Sequence, residues 1–333
     1  MTIAAQKITE GAGRSGRTPL CLLKRLLLLP QSLLLVRSDF GGGDDRGRVR
    51  ILYIGEGLSL EYYRRLFGSP PGQSGRIPIW KLQRALEEAR AGWDVVLVEI
   101  NRLAAFLLPK GGLFADAWVR QETDLTGDRY KRRLRGIERG WGQKVRRQKF
   151  SCRRSSSAAD LATFYSDYYV PYVSQRHGPD SSIRSCAELR RAVKSGFLLQ
   201  VWRETEWVSG VVASCKRGDR VRLLAAGVQP PHLTTLRQGA LSAAYYFLFR
   251  WAGESGIRIV DFCGTRPHLL NGVFRHKSLW AAEPRHDPWH HTVIAFYLAH
   301  DKPLPETITH QLVNRAGGFA TIGECLAEGR SRG

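Results

Sequence analysis

Between Phe197 and Phe262 the chain reads as three short apolar strands, a capped helix and a fourth buried strand, and this order narrows the fold more than any other feature. Phe197 to Arg203, Val208 to Lys216 and Arg220 to Val228 are the strands. Tight turns at Glu204-Thr-Glu206 and Gly218-Asp219 make them an antiparallel meander. Thr235 with Gln238 has capping-box spacing and predicts a helix start. Leu236, Ala240, Leu241, Ala244, Phe247, Leu248 and Trp251 recur at helical spacing, and Gly256 is a natural stop. Ile257 to Phe262 is then a strand carrying one acid, Asp261, and it ends in a Cys-Gly-Thr-Arg-Pro turn. Ligands of α/β proteins gather at the carboxyl ends of strands, so the polar cluster that follows is where function is expected.

Upstream, strands alternate with helices. Ser38 to Arg50 is a Gly/Asp/Arg linker, followed by a strand at Ile51 to Ile54 and a helix at Leu60 to Phe67. A helix over Trp80 to Ala91 leads into a buried strand over Asp94 to Ile100. The expected class is therefore α/β (α+β), a mixed sheet with flanking helices. Leu161 to His177 is an aromatic-rich helix broken near Pro171, a last strand runs near His291 to Leu298, and the tail after Asp301 carries no signal.

The net charge of +21 over 333 residues implies an anionic partner: nucleic acid, nucleotide phosphates or an acidic membrane. From Arg129 to Arg154 twelve basic residues face one acid, Glu138. Tyr130, Leu134, Ile137 and Trp141 share a helical face there; Gly140 and Gly142 then break the helix, and Lys144 to Cys152 reads as a strand. Six cysteines without a CxxC pair read as reduced thiols of a cytoplasmic protein. Leu22 to Val36 is interrupted by Lys24, Arg25 and Pro30, short of the ~20 apolar residues of a spanning helix. It reads as a disordered leader, the alternative being a membrane-surface helix.

Asp261, Arg266, His268, Asn271, Arg275, His276 and Lys277 fall within seventeen residues. A lysine there can stabilise an oxyanion and an aspartate can orient positive groups or accept a proton. Asp261 paired with Arg266 is the purely structural alternative. Arg237-Gln238-Gly239-Ala240 opens a helix, whose free N–H groups and dipole suit a pyrophosphate. His286-Asp-Pro-Trp-His290-His291 lacks a second ligand set, so no metal is expected. Cys263 is expected to be a buried strand-end thiol.

From about Asp128 to Trp280 the chain resembles the Fem-type and exopolysaccharide-associated (CelD-like) GNAT-superfamily acyltransferases of the bacterial cell envelope. The residues that carry the likeness are the Arg/Lys-rich segment, Phe164-Tyr165, Pro171-Tyr172, Arg176-His177-Gly178, the Gly239 helix, Asp261-Phe262-Cys-Gly-Thr-Arg-Pro and Asn271-Gly272-Val-Phe-Arg-His276-Lys277. The resemblance implies two tandem GNAT-like subdomains, 49–127 and 155–300, joined by a basic connection at 128–154, with a leader at 1–48 and a tail at 301–333. It implies N-acyl transfer from acyl-CoA or aminoacyl-tRNA to an amine-bearing sugar or peptidoglycan-type acceptor. Lys277, Asp261 and His276 are the implied catalytic group; His276 stands where the family has an aromatic residue before the lysine. Arg237, Gln238, Gly239 and Ala240 would hold the donor; Tyr169, Tyr172, Arg176, His177, Arg266, Asn271 and Arg275 would line the acceptor side. Such an enzyme would work in the cytoplasm or at the inner membrane face. The other reading is a non-catalytic protein of the same fold that binds nucleic acid or an anionic membrane through its basic segment.

Overall fold

The computed structural model describes residues 34–42, 49–68, 74–177, 183–299 and 303–330, with Leu23 and Leu26. In chain order the elements are β1 (Leu34–Gly42), β2 (Val49–Gly55), α1 (Leu60–Phe67), β3 (Ser74–Pro78), α2 (Leu82–Gly92), β4 (Val95–Asn101), β5 (Leu113–Asp116), β6 (Val119–Asp124) and α3 (Asp128–Ile137). A π-helical turn over Glu138–Gly142 leads to α4 (Gln143–Arg147) and β7 (Phe150–Ser155). Next come α5 (Ala158–Thr163), a second π stretch over Phe164–Tyr169, α6 (Val170–His177) and α7 (Cys186–Val193). The meander is β8 (Gly196–Arg203), β9 (Glu206–Arg217) and β10 (Arg220–Val228), and then α8 (His232–Gln238), α9 (Ala240–Glu254) and β11 (Ile259–Thr265). The chain ends with α10 (Gly272–Ser278), β12 (Glu283–His286), β13 (Thr292–Leu298), α11 (Glu306–Thr309), β14 (Leu312–Arg315), β15 (Gly318–Thr321) and α12 (Ile322–Arg330). The class is mixed α/β, with mixed sheets flanked by helices.

The chain forms two compact units. The first takes the residues up to Val119, Gly264–Arg275 and those from Pro284 on. Its sheet has the order β3-β1-β2-β4-β13-β5. The β2 and β4 strands pair in parallel and are buried almost throughout, as their unbroken apolar runs require. β13 inserts antiparallel between β4 and β5, for example Thr292 opposite Asn101 and Val293 opposite Asp116. That pairing goes with the return of the chain from Pro284 on to the first unit. The tail after Asp301 supplies α11, β14, β15 and α12. Leu34–Gly42, expected within a disordered leader, is a strand paired with both β2 and β3; the rest of the leader lies outside the described residues.

The second unit takes Arg120–Cys263 and His276–Glu283. Its sheet runs β6-β11-β10-β9-β8-β7. The three-strand meander has the expected order and turns, with Glu204 and Gly218 at positive φ. One face packs against α9 through residues such as Val211, Val221, Leu248, Phe262 and Trp280. The other packs against α5, the π stretch and α7 through Leu161, Phe164, Leu189, Leu198 and Ala225.

Three local readings are corrected by the structure. Gly140 and Gly142 do not break the basic helix: they sit in a π turn, and Lys144–Arg147 is helical, the strand beginning only at Phe150. Pro171 does not interrupt the aromatic helix: helical backbone runs on through it from 158 to 177, and the irregularity is the π stretch just before it, which loosens the ladder its missing N–H would join. Thr235 does not open the long helix. It lies buried inside the short α8 and donates to Pro231 O at 3.2 Å; Gly239, at φ 93°, then separates α8 from α9.

Candidate active site

The parallel ladder between β10 and β11 has only three pairs: Arg220 with Ile259, Val221 with Val260 and Arg222 with Asp261. β10 continues to Val228 and β11 to Thr265 with no further backbone pairing between them among the described residues. Just past the last pair, Cys263 adopts φ 61°, a left-handed conformation uncommon for a residue with a Cβ. Three contacts hold it there. Its N–H donates to Asp261 Oδ1 at 2.8 Å, its thiol donates to Leu223 O at 3.2 Å, and its carbonyl accepts from Lys277 Nζ at 3.4 Å. The adjacent backbone of β10 is held just as closely: a Cβ on Gly227 would lie 2.7 Å from the carbonyl carbon of Tyr168, so only glycine lets the π stretch pack there.

Asp261 is fully buried. Its Oδ2 bonds the guanidinium of Arg120 and faces Arg222 at 3.2 Å and Arg220 at 3.9 Å. Arg120 and Arg220 also pair with Glu122. Burying this acid is tolerable only because cations and hydrogen bonds surround it. Arg266, the partner in the purely structural alternative for Asp261, belongs to the first unit. There it bonds Ser59 Oγ at 2.6 Å and Ala117 O at 3.1 Å and stacks on Tyr62 and Trp118, while Asp261 pairs with Arg120 and Arg222.

Lys277 reaches this point from α10 and is 8% exposed. Burial lowers its ammonium pKa from the ordinary 10.5 to about 8, against the opposing pull of Cys263 and Asp261. The Cys263 thiol is pushed up by burial and by Asp261, which keeps it protonated. His276 is lowered to about 4, first by burial and then by Arg176 and Lys277, so its ring is neutral near pH 7. That ring lies 5.1 Å from Tyr245. Tyr172, buried on α6, meets His232 edge-on at 5.7 Å, and Arg176 follows it one turn on, exposed. The Arg176 charge acts on both His276 and Tyr245, lowering each pKa, in the tyrosine against the other influences on it. Tyr169 is more distant in role: its hydroxyl accepts from Arg184 N at 2.9 Å and fixes the segment before α7. The His177 side chain is outside the described residues.

Arg237, Gln238, Gly239 and Ala240 mark the junction of α8 and α9. Lys144 Nζ donates to Arg237 O at 2.8 Å and Gln238 Oε1 accepts from Arg203 at 2.7 Å, while the Arg237 side chain is exposed. The helix that presents its first turn here is therefore the fifteen-residue α9, starting at Ala240. Asn271 caps α10, its Oδ1 accepting from Val273 N and Phe274 N, and Arg275 is exposed on that helix; both belong to the first unit.

Arg120, Arg184 and Arg222 were not singled out in sequence. The available signal is β10 itself, where Arg220 and Arg222 alternate with buried Val221 and Leu223 beside a strand that carries one buried acid. Among the described residues no group of three or more His, Cys, Asp or Glu is arranged to hold a metal ion. His286 instead pairs with Asp116 in the first unit, and His290 stacks on Trp118.

No protein-family model matches the chain, and no curated protein matches it in sequence. Solved structures that are similar include L-PGS from Bacillus licheniformis (13% identity over 81% of this chain and 86% of that one, TM-score 0.36). FemX is similar at 13% identity over 80% and 88%, TM-score 0.40. A GCN5-related N-acetyltransferase from Kribbella flavida is similar at 16% identity over 83% and 58%, TM-score 0.30. Similarities at this level assign no family to the chain.

Proposed function

We propose that the second unit is an N-acyltransferase that moves an acyl or aminoacyl group from acyl-CoA or aminoacyl-tRNA to an amine of a cell-envelope or polysaccharide precursor. The observation that carries the reading is the end of the β10–β11 ladder at Arg222 and Asp261, with the buried Lys277 ammonium on the next carbonyl, that of Cys263. Beyond that point β10 and β11 are no longer laddered to each other, which suits an extended donor arm lying between them, and the first turn of α9 behind Gly239 suits its phosphates.

In the reaction the acceptor nitrogen attacks the donor carbonyl, the new C–N bond forms, and the C–S or C–O bond to the leaving group breaks. The surplus proton on the attacking nitrogen is lost to water, and the leaving thiolate or alkoxide takes one up. Lys277 stabilises the negative charge that develops on the carbonyl oxygen. Both oxygens of Asp261 are engaged, so it orients Cys263 and the arginines instead of taking a proton. Neutral His276, with Tyr172 and Arg176, lines the acceptor side. Mass spectrometry of ligands retained on the purified protein tests this: acyl-CoA, CoA or tRNA that is lost from an Arg237→Glu variant supports it, and retention unchanged by that substitution contradicts it.

A second reading rests on one observation. Lys131, Arg132, Arg133, Arg135, Arg139, Arg146 and Arg147 are exposed and form no ion pair among the described residues. Such a surface suits nucleic acid or an anionic membrane. Affinity for RNA that falls steeply with added salt, together with donor retention indifferent to Arg237, would favour a binding protein over an enzyme.

A further inference from the structure

A cleft of about 220 Å³ opens between α7 and β10, floored by Ala192 and Leu224 and rimmed by Arg184, Arg191 and Arg222. Its one acid, Glu188, caps α7 through Oε2, which accepts from Ser185 N at 2.9 Å and Ser185 Oγ at 3.1 Å, and its charge offsets part of that of Arg184 and Arg191. Two of the three guanidiniums are placed at their Nε edge, Arg184 through a hydrogen bond and Arg222 through an ion pair alone. Arg184 Nε donates to Leu224 O at 3.1 Å, and Arg222 Nε faces Asp261 at 3.2 Å. Their terminal nitrogens have no hydrogen-bond partner among the described residues. Arg191, exposed in the last turn of α7, forms no ion pair among them. Three fork-shaped donors around a small apolar floor are a recognition geometry for a compact oxyanion, and one that lysines would not reproduce.

The cleft also adjoins the reacting point. Arg222 is the last residue paired with β11, and Arg184 and Arg222 both act electrostatically on Cys263. We infer that this cleft binds a phosphate or carboxylate group, and that, on the transferase reading above, the group belongs to the acceptor. The amine that attacks would then be carried by an anionic molecule, held by its charged end at Arg184, Arg191 and Arg222 while the amine reaches toward Lys277.

The test is a calorimetric titration of the full chain with inorganic phosphate and, separately, succinate, at matched ionic strength. One of the two is expected to bind at a single site and to identify which oxyanion the cleft prefers. Arg191→Ala should weaken that binding about tenfold, the loss of one charge-assisted contact. Arg190→Ala removes an equal charge from the same helix but does not line the cleft, and should change affinity less than about twofold. Far-UV circular dichroism confirms that both variants are folded. Equal losses in the two variants, undiminished binding in Arg191→Ala, or no binding of either anion to the unmodified chain would overturn the inference. Because the titration needs no turnover, it can fail while the retained-ligand experiment succeeds, and the reverse.

Discussion

Lys277 donates to the carbonyl oxygen of Cys263, the residue held at φ 61° just beyond the last parallel pair of β10 and β11. A buried ammonium is costly, and the cost sets a pH dependence. Lys277 titrates near 8 when folded and near 10.5 when unfolded, so between these values the unfolded chain binds more protons and stability rises with pH. Below pH 8 the penalty is fully present, about 3 kcal/mol by linkage. Lys277→Met is therefore expected to raise stability in urea at pH 7, with the gain shrinking as pH approaches 10.5. A variant equally destabilised at both pH values would contradict the burial argument.

Asp261 sits opposite that lysine's carbonyl contact and binds Arg120 and Arg222. Asp261→Asn leaves the largely buried Arg120 and the partly exposed Arg222 without their acid and, with Glu122 still beside Arg120, should cost about 1–3 kcal/mol. Chemical denaturation measures it. A loss below about 1 kcal/mol would mean that Glu122 alone balances the arginines.

In the first unit, burial pushes Asp116 upward, but His286 at 2.7 Å and Arg102 outweigh it and hold its carboxyl at about 2, against an ordinary 3.8. Its contribution, about 2 kcal/mol, is present above pH 3.8 and disappears as pH falls through 2. Asp116→Asn should thus destabilise the protein at pH 7 and converge with the unmodified chain in acid. Parallel acid-denaturation curves would be the contrary result.

Gly227→Ala puts a Cβ 2.7 Å from the backbone of Tyr168. Neither strand nor π stretch can yield a flexible side chain there, so a loss of about 1–3 kcal/mol is expected on thermal or urea denaturation. Unchanged stability would show that the two elements separate easily.

Much of this was readable beforehand. The meander and the apolar periodicity of α9 follow from local pattern and spacing. The partners of Asp261 do not, because Arg120 comes from β6, 141 residues earlier, and strand order is a tertiary property. Helical spacing runs on through Leu236 and Ala240 although Gly239 resets the backbone between them, so the pattern reads as one helix where there are two. Gly142 looks like a helix breaker until its surroundings are known: a Cβ there would lie 2.8 Å from Glu138 Oε2 and 3.1 Å from the Tyr246 hydroxyl, and the glycine serves close packing within a continuous helical path. The return of β13 to the first sheet is likewise invisible locally, because an apolar strand does not name its neighbours.

The most direct measurement is the rate at which free thiol or deacylated tRNA is released from acyl-CoA or aminoacyl-tRNA in the presence of a bacterial envelope extract, for the unmodified chain and for folded Lys277→Met at pH 7. Loss of an oxyanion-stabilising group predicts a fall of about 100-fold or more in Lys277→Met. Release at the unmodified rate would contradict the assignment of Lys277 to the transfer step.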